Sequence, residues 1–247
     1  MPDLTILHTN DFHGKLSDKA AERAASEKSS AERCLLLDAG DAISSGNVYY
    51  RPGGEPILAR MSDLGYDAMA LGNREFHFLE AGLRSKLKLA RFPILSANFQ
   101  SGKGDVRQLV LPTAEWDLKG LRVVVFGLSV PVITRRMVSS RISPFWFEDP
   151  IETAARIVPE LRERADVLIA LTHIGLQRDL ELANSVRGID LIVGGHTHTV
   201  LSEPRIVGDT AIVHAGWWGR HVGKVEISPA AVRGGRPDVR CTLIGLG

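Results

Sequence analysis

Short apolar runs alternate with longer amphipathic segments over about the first 190 residues of the chain. Several runs are apolar at successive positions, as strands buried on both faces are, whereas the longer segments repeat apolar residues at helical spacing. The predicted strands are Leu4–His8, Cys34–Leu37, Asp67–Leu71, Pro93–Ala97, Arg122–Leu128, Val167–Leu171 and Asp190–Val193. The predicted helices are Lys19–Arg33, Pro56–Leu64, Leu79–Ala90, Pro150–Arg164 and Arg178–Val186. This alternation predicts an α/β fold.

The last part of the chain has a different pattern, with strand-like runs and no helical segment after about residue 190. These runs predict an antiparallel region or the completion of a second sheet. Turn-forming residues predict an exposed loop at Pro229–Pro237, and flanking prolines predict another that contains Phe145, Trp146 and Phe147. The strands expected in this part are Arg205–Val207, Ala211–His214, Val222–Ile227 and Val239–Ile244.

Composition narrows the classes of protein to which the chain can belong. Its 247 residues are 44% hydrophobic and carry a formal net charge of +1. They suffice for a large core, and the charge gives no electrostatic case for a nucleic-acid polymer or an anionic membrane as partner. The chain has no apolar stretch of about 18 residues, and its first residues lack the pattern of a signal peptide. We therefore expect a cytoplasmic protein without a membrane segment, although a processed secreted chain would show the same pattern.

Residues of metal-ligand type follow five of the predicted strands. Because open α/β sheets bind ligands at the carboxyl ends of their strands, these residues are expected to meet. In extended chain, residues two apart point the same way, so each Asp-x-His or His-x-His pair presents two ligands on one side. Carboxylate, amide and imidazole groups together suit divalent ions such as Zn, Mn or Fe. The candidate metal ligands are Asp11, His13, Asp41, Asn73, His173, His196 and His198.

Each of these residues taken alone also has a structural interpretation. Asp11 and Asn73 are of the types common in turns, Asp41 fits a helix N-cap, and His173 fits a hydrogen-bonded buried histidine. The segment Gly-Gly-His-Thr-His, which ends at His198, is the hardest to explain without a metal. Because the pieces occur one after another, each behind a strand, the set favours a metal centre.

Together these motifs resemble the calcineurin-like metallophosphoesterase superfamily. The opening Leu-His-Thr-Asn-Asp-Phe-His-Gly, the segment Gly-Asn-x-Glu-Phe and the later Ala-Gly are similar to the N-terminal catalytic domain of its 5'-nucleotidase group. The resemblance spans residues 4–228. It implies a four-layer α/β/β/α sandwich, and a single catalytic domain over residues 1–247 without the C-terminal nucleotide-specificity domain of that group.

The resemblance also implies a centre of two divalent metal ions with Asp41 bridging them. One ion would be held by Asp11, His13, Asp41 and His198. The other would be held by Asp41, Asn73, His173 and His196. The implied reaction is hydrolysis of a phosphoester by a hydroxide that bridges the two ions.

Two positions depart from the pattern of the resembled group, which has His and Asp where this chain has Arg74 and His77. We expect Arg74 to stabilise the transferring phosphoryl group, because a guanidinium stays charged and can bind two oxygens. We expect His77 to act as an acid or to orient the reacting groups. Alternatively, Arg74 forms a local salt bridge, for example with Glu75, and the chain is a slow enzyme or a metal-binding regulatory protein.

Aromatic residues are the candidates for substrate contacts. Trp217 and Trp218 follow Ala-Gly, and Tyr49 lies in the loop after Asp41, so these rings are candidates for contact with the substrate. Alternatively, the two tryptophans pack at a sheet edge or in an oligomer contact. The expected substrate is a small, nucleotide-like phosphoester, and a sulfur ester or a sugar-nucleotide ester hydrolysed at the same site is the alternative. Metal identity and oligomeric state stay open.

Overall fold

Two six-stranded β-sheets form the middle of the protein in a computed structural model that describes residues 4–102, 106, 108–228 and 238–245. The first sheet contains β1 (Leu4–Thr9), β2 (Cys34–Asp38), β3 (Ala68–Ala70), β4 (Ile94–Leu95), β13 (His221–Ser228) and β14 (Asp238–Gly245). The second contains β6 (Thr113–Asp117), β7 (Arg122–Ser129), β9 (Val167–His173), β10 (Leu191–Gly194), β11 (Arg205–Val207) and β12 (Thr210–Val213). A separate pair joins β5 (Phe99–Ser101) to β8 (Phe145–Phe147).

Parallel strands occupy the centre of both sheets, whose orders are β14-β13-β1-β2-β3-β4 and β11-β12-β10-β9-β7-β6. Strands β1 to β4 are parallel to one another, as are β7, β9, β10 and β12. Antiparallel strands β13, β14, β6 and β11 complete the outer parts of the sheets. Because parallel neighbours end at the same edge, the loops after β1, β2, β3, β9 and β10 are brought to one end of the molecule.

Helices cover the outer face of each sheet, and the two inner faces pack on each other. Leu4, Ile6, Val125 and Ile169 belong to a fully buried core between the sheets. A second core joins the first sheet to α1 (Asp18–Ser30), α2 (Pro56–Asp63) and α3 (Glu80–Leu87). A third joins the second sheet to α4 (Pro150–Arg164) and α5 (Leu176–Ser185). The predicted four-layer α/β/β/α sandwich is confirmed.

Local sequence explains where the longer helices begin. The Ser17 side chain accepts a hydrogen bond from the Ala20 backbone N–H, which caps α1. Asp149 caps α4 by accepting from two backbone N–H groups, and Pro150 stands at the first helical position, where no N–H is needed. None of the helices in the described part of the chain combines the length and the apolar character needed to cross a lipid bilayer.

The structure corrects the expectation of an exposed loop at Phe145–Phe147. These residues form β8, in which Phe145 is 0% and Phe147 is 3% exposed. Both rings pack against Phe76 and Phe99, which come from distant parts of the chain. The flanking prolines do bound the segment, but the contacts that bury it are long-range and leave no local signal.

The C-terminal strands divide between the two sheets. Strands β11 and β12 extend the second sheet, in which β12 lies parallel to β10, whereas β13 and β14 pair antiparallel with the first sheet. Both alternatives drawn from the sequence therefore hold for different parts of this region. The loop predicted at Pro229–Pro237 lies outside the described residues.

The two sheets approach each other closely at Gly127, in the middle of β7. A Cβ atom at Gly127 would overlap the backbone carbonyl of Leu95 in β4. The Gly127 carbonyl also accepts a hydrogen bond from the Ala97 N–H at 2.8 Å, and the Leu95 carbonyl accepts one from the Leu71 N–H at 2.9 Å. The absence of a side chain at Gly127 is therefore a condition for joining the sheets at this edge.

Replacing Gly127 by alanine should lower the free energy of unfolding by about 1–3 kcal/mol or more, because the added methyl group meets backbone rather than a movable side chain. The measurement is urea denaturation of the purified variant. Gly53→Ala is the matched control, since a Cβ there would have no neighbour within 4 Å, and a change below about 0.5 kcal/mol is expected. Equal stability of the two variants would contradict the close approach of the sheets.

Candidate metal centre

The loops that carry the candidate ligands run side by side at the carboxyl ends of the strands. The Asp11 N–H donates to the Gly40 carbonyl at 2.9 Å, and the His13 N–H donates to the Asp41 carbonyl at 3.0 Å. A Cβ at Gly72 would overlap both Asp41 and Glu75, so glycine is required for the next loop to close on them.

Backbone strain is concentrated at the same residues. Five of the seven candidate ligands have a positive φ although they are not glycine, and such conformations cluster at functional sites. These residues are Asp11 (54°), His13 (48°), Asp41 (57°), His196 (79°) and His198 (56°).

Asp11, His13 and His198 converge on one point. The Nε2 atoms of the two histidines are 2.9 Å apart, and they lie 3.6 Å (His13) and 3.5 Å (His198) from Asp11 Oδ1. Ligand atoms bound to one ion at about 2.0–2.2 Å have separations of this size. Asp11 Oδ1 is buried and has no hydrogen-bond partner among the described residues, so its lone pairs are available to a cation.

A second set forms around His173, whose Nε2 lies 3.4 Å from Asp41 Oδ1 and 3.2 Å from Asn73 Oδ1. The His196 ring centroid is 5.0 Å from that of His173. Asp11 also lies within reach of Asp41 and His173, so its carboxylate contributes to both convergent sets. The structure thus brings all seven candidate ligands to one end of the sheets. Asp41 as the bridging residue stays a prediction.

Neighbouring groups hold these side chains in the orientation that a metal would need. The Ala39 carbonyl lies 2.7 Å from His173 Nδ1 and can accept a hydrogen bond from a proton on this nitrogen. The other ring nitrogen, Nε2, is then directed at Asp41. Asp11 Oδ2 accepts from the Asn10 side chain at 2.7 Å and from the His196 N–H at 2.9 Å. Only its other oxygen, Oδ1, therefore points into the cluster.

The cluster concentrates negative charge. Burial opposes ionisation of Asp41, but the neighbouring His173 lowers the pKa of this carboxyl to about 2. Burial likewise opposes a proton on His173, yet Asp41 and Asp11 raise the pKa of this imidazole to about 10. The charge that stabilises a proton here would also stabilise a divalent ion. The donor types, the distances and the unpaired Asp11 oxygen all fit such an ion.

Comparison with known proteins places this arrangement in a family. Residues 4–200 match the calcineurin-like phosphoesterase family. The chain belongs to this family. It is 34% identical over 265 residues to the trifunctional nucleotide phosphoesterase protein YfkN of Bacillus subtilis (strain 168), a match that covers 92% of this chain and 18% of the relative. It is 31% identical over 267 residues to the 5'-nucleotidase of Vibrio cholerae, covering 90% and 48% of the two chains.

Solved structures agree with the sequence comparison. The 5'-nucleotidase precursor from Thermus thermophilus superposes with a TM-score of 0.79 at 29% identity, covering 98% of this chain and 54% of that one. The resemblance to the 5'-nucleotidase group is confirmed. This member of the calcineurin-like phosphoesterase family spans about half the length of such relatives, or less.

The fold places Arg74 and His77, the two residues that depart from the resembled sequence pattern, in different surroundings. Arg74 lies beside the cluster, with its Nε 3.5 Å from Asp41 Oδ2 and its Nη1 donating to the Ser44 carbonyl at 2.7 Å. His77 is only 3% exposed, packs edge-on against Tyr50, and has its Nδ1 3.0 Å from the Leu79 N–H. Arg74 is therefore placed for contact with a ligand, whereas His77 is set within the protein.

The predicted substrate-contacting aromatics lie in two different places. Trp217 stacks on the ring of His198, with centroids 5.7 Å apart and an interplanar angle of 19°. Trp218 is 40% exposed, and its backbone N–H donates to the Asp11 carbonyl at 2.9 Å. Tyr49 is 59% exposed in the loop after Asp41. The tryptophans thus flank the cluster.

Two buried charged residues to which the sequence assigned no such role support the ligand loops from inside. Glu75 is fully buried and accepts from the Asp41 N–H at 2.9 Å and the Ile43 N–H at 3.1 Å, so it does not require Arg74 as a partner. Lys86 is also fully buried, and its Nζ donates to the carbonyls of Arg74 and Phe76. Burial lowers the pKa of Lys86 to about 8. A lysine on an amphipathic helix gives no sequence signal for this role.

A third such residue, Asp179 on α5, connects the strands that carry His173 and His196. It is 0% exposed and accepts from the Thr172 hydroxyl at 2.6 Å, directly before His173. Its other oxygen lies 2.8 Å from His214 Nε2, and a Cβ at Gly194 would overlap this oxygen. Asp179 is therefore a positioning residue for both ligand-bearing strand ends.

Asp179→Asn should weaken metal binding by about 10- to 100-fold, because an amide nitrogen cannot accept the hydrogen bond that one carboxylate oxygen now accepts. The ion's dissociation constant can be measured by competition with a chelator. Asp190→Asn is the matched control: this buried carboxylate accepts from Leu168 and Arg162 at the opposite, amino end of the same strands. It should lower stability without changing metal affinity, and equal losses of affinity in both variants would contradict the positioning role.

Proposed function

We propose that this phosphoesterase hydrolyses small, nucleotide-like phosphoesters with the aid of two divalent metal ions. The observation that carries the proposal is the buried Asp11 Oδ1, which has no partner among the described residues and faces the Nε2 atoms of His13 and His198. The second set around His173 supports a second ion. Relatives whose names include nucleotidase or nucleotide phosphoesterase support the substrate class.

The reaction needs a nucleophile and compensation for the charge of the phosphate. When bound, two divalent ions would lower the pKa of a water molecule and offset the negative charge of the phosphoryl group. The oxygen of water forms the new bond to phosphorus, the bond to the leaving oxygen breaks, and that oxygen takes up a proton. Such transfer depends mainly on position and on charge stabilisation, so no covalent intermediate with the protein is required.

Arg74 is proposed to bind the oxygens of the transferring group. Its side chain is 36% exposed, and the contacts described above involve only Nε and Nη1, so they leave some of the five guanidinium N–H groups available to a ligand. The buried setting of His77 supports an orienting role through Tyr50 and the 77–79 turn, rather than direct proton transfer.

A metal-binding protein with weak catalysis is the second candidate, and the observation in its favour is the engagement of Arg74 by Asp41 and Ser44. An arginine held by these partners contributes a structural contact and no catalysis. The two candidates differ in measurable activity once the metal is bound.

Metal removal and return test the proposed function directly. Protein stripped with a chelator should lose phosphoesterase activity, and Mn or Zn should restore it together with about two ions per chain by elemental analysis. Activity is measured on an aryl phosphate, its diester and a panel of nucleotides. Asp11→Asn should reduce both the bound metal and the activity. Full metal content without turnover on any substrate would favour the metal-binding candidate.

Arg74→Ala should reduce kcat for the best substrate by about 100-fold, because the transferring group loses a charged hydrogen-bond donor. Steady-state kinetics with saturating metal is the measurement. Arg91→Ala serves as the control, since Arg91 pairs with Asp63 on the surface and should leave turnover unchanged. Unchanged turnover in Arg74→Ala would refute its part in catalysis.

A further inference from the structure

Two cations lie on aromatic rings beside the metal centre. The Nζ of Lys15 is 3.4 Å from the ring centroid of Trp218. The guanidinium carbon of Arg220 is 4.8 Å from the centroid of Trp217 and 5.4 Å from that of Trp218. Distances of this size are typical of cation–π contacts, which order a charged side chain without neutralising it. We call Lys15, Trp217, Trp218 and Arg220 the cation shelf.

The cation shelf is attached to the ligand loop on the side of His13 and His198. Trp217 stacks on His198 and also contacts the guanidinium of Arg220, so this indole ring links Arg220 to a candidate metal ligand. The backbone N–H of Trp218 donates to the Asp11 carbonyl at 2.9 Å. Gly219 is packed closely, since a Cβ there would lie 3.0 Å from Phe12 Cε1 and 3.1 Å from the Lys15 carbonyl. These contacts fix the position of the two cations relative to the centre.

Neither cation of the shelf forms an ion pair with a carboxylate in the part of the chain that the structure describes. Other surface cations within the described residues pair with a carboxylate, as Arg60 with Asp18 and Arg156 with Glu148 do. Arg74, by contrast, lies close to the carboxylate of Asp41. The shelf therefore presents two exposed and uncompensated positive charges next to the candidate centre.

The geometry points to a subsite in which Lys15 and Arg220 bind a second phosphate group, one that belongs to the leaving portion of the substrate. This inference rests on the proposed function and narrows its substrate class to esters or anhydrides that carry two or more phosphate groups. Ammonium and guanidinium groups are the side chains that bind phosphate most strongly. His198 and the two cations already lie against the indole rings, which disfavours stacking of a nucleobase on them.

The inference can be tested by binding alone, with two probes that are not hydrolysed. Methylphosphonate carries one phosphonate group, and methylenediphosphonate carries two. Calorimetry on the metal-loaded protein gives the ratio of their affinities. In the double variant Lys15→Gln/Arg220→Gln, the affinity for methylenediphosphonate relative to that for methylphosphonate should fall about tenfold. The dependence of this ratio on ionic strength should also weaken.

Two control variants separate a subsite from a general effect of charge or folding. Lys119→Gln/Arg187→Gln removes the same charge from turns at the amino ends of β7 and β10, and should keep the wild-type ratio. Lys15→Arg/Arg220→Lys preserves the charges and should also keep it. An unchanged ratio in Lys15→Gln/Arg220→Gln, or an equal fall in the Lys119/Arg187 variant, would overturn the inference.

The outcome is separable from that of the proposed function. Preference for methylenediphosphonate that depends on Lys15 and Arg220, in a protein that hydrolyses no phosphoester, would refute the proposed function and leave the subsite standing. Hydrolysis of phosphoesters with no such preference would refute the subsite and leave the proposed function standing.

Discussion

Two carboxylates, Asp11 and Asp41, are held close together inside the protein, and the arrangement around them follows from the cost of burying their charge. A buried carboxylate is stable only when opposite charge and hydrogen-bond donors surround it. Asp11 receives the side chain of Asn10 and a backbone N–H, and Asp41 receives the N–H of Arg74 and lies beside His173. The oxygen of Asp11 that receives no such donor faces two imidazole rings. The centre is thus prepared for a cation.

The residues that carry this charge also adopt an unfavourable backbone conformation. Positive φ at non-glycine residues costs about 1–3 kcal/mol for each residue, and it persists only where the surrounding structure determines it. The surroundings here are three cores on the faces of two mixed sheets, and the ligand loops directly follow the parallel strands at their centres. Glycines at Gly72 and Gly194 let Glu75 and Asp179 pack against these loops from behind. Rigid support and strained loops together explain how seven ligand-type side chains meet at one end.

Positive charge is distributed unequally around the centre. Arg74 lies next to Asp41, and its charge is partly compensated there. Lys15 and Arg220 rest on indole rings and keep their charge available. The fold places Arg74 and His77, the two residues that depart from the resembled sequence pattern, in different environments. In the proposed enzyme, recognition of the substrate therefore relies on the positive charges of arginine and lysine side chains.

The sequence by itself determined the α/β class, the order of most strands and helices, the ligand types and the family, because each of these is written in local patterns. Runs of apolar residues report burial, and each ligand motif is a few residues long behind its strand. Only the tertiary structure decided which residues meet. His13 and His198 are 185 positions apart, and the packing of one sheet on the other brings their nitrogens to 2.9 Å. The same long-range packing buried Phe145 and Lys86, separated His77 from Arg74, and laid Trp217 on His198. No local pattern contains these contacts, because each depends on groups supplied by another strand or loop.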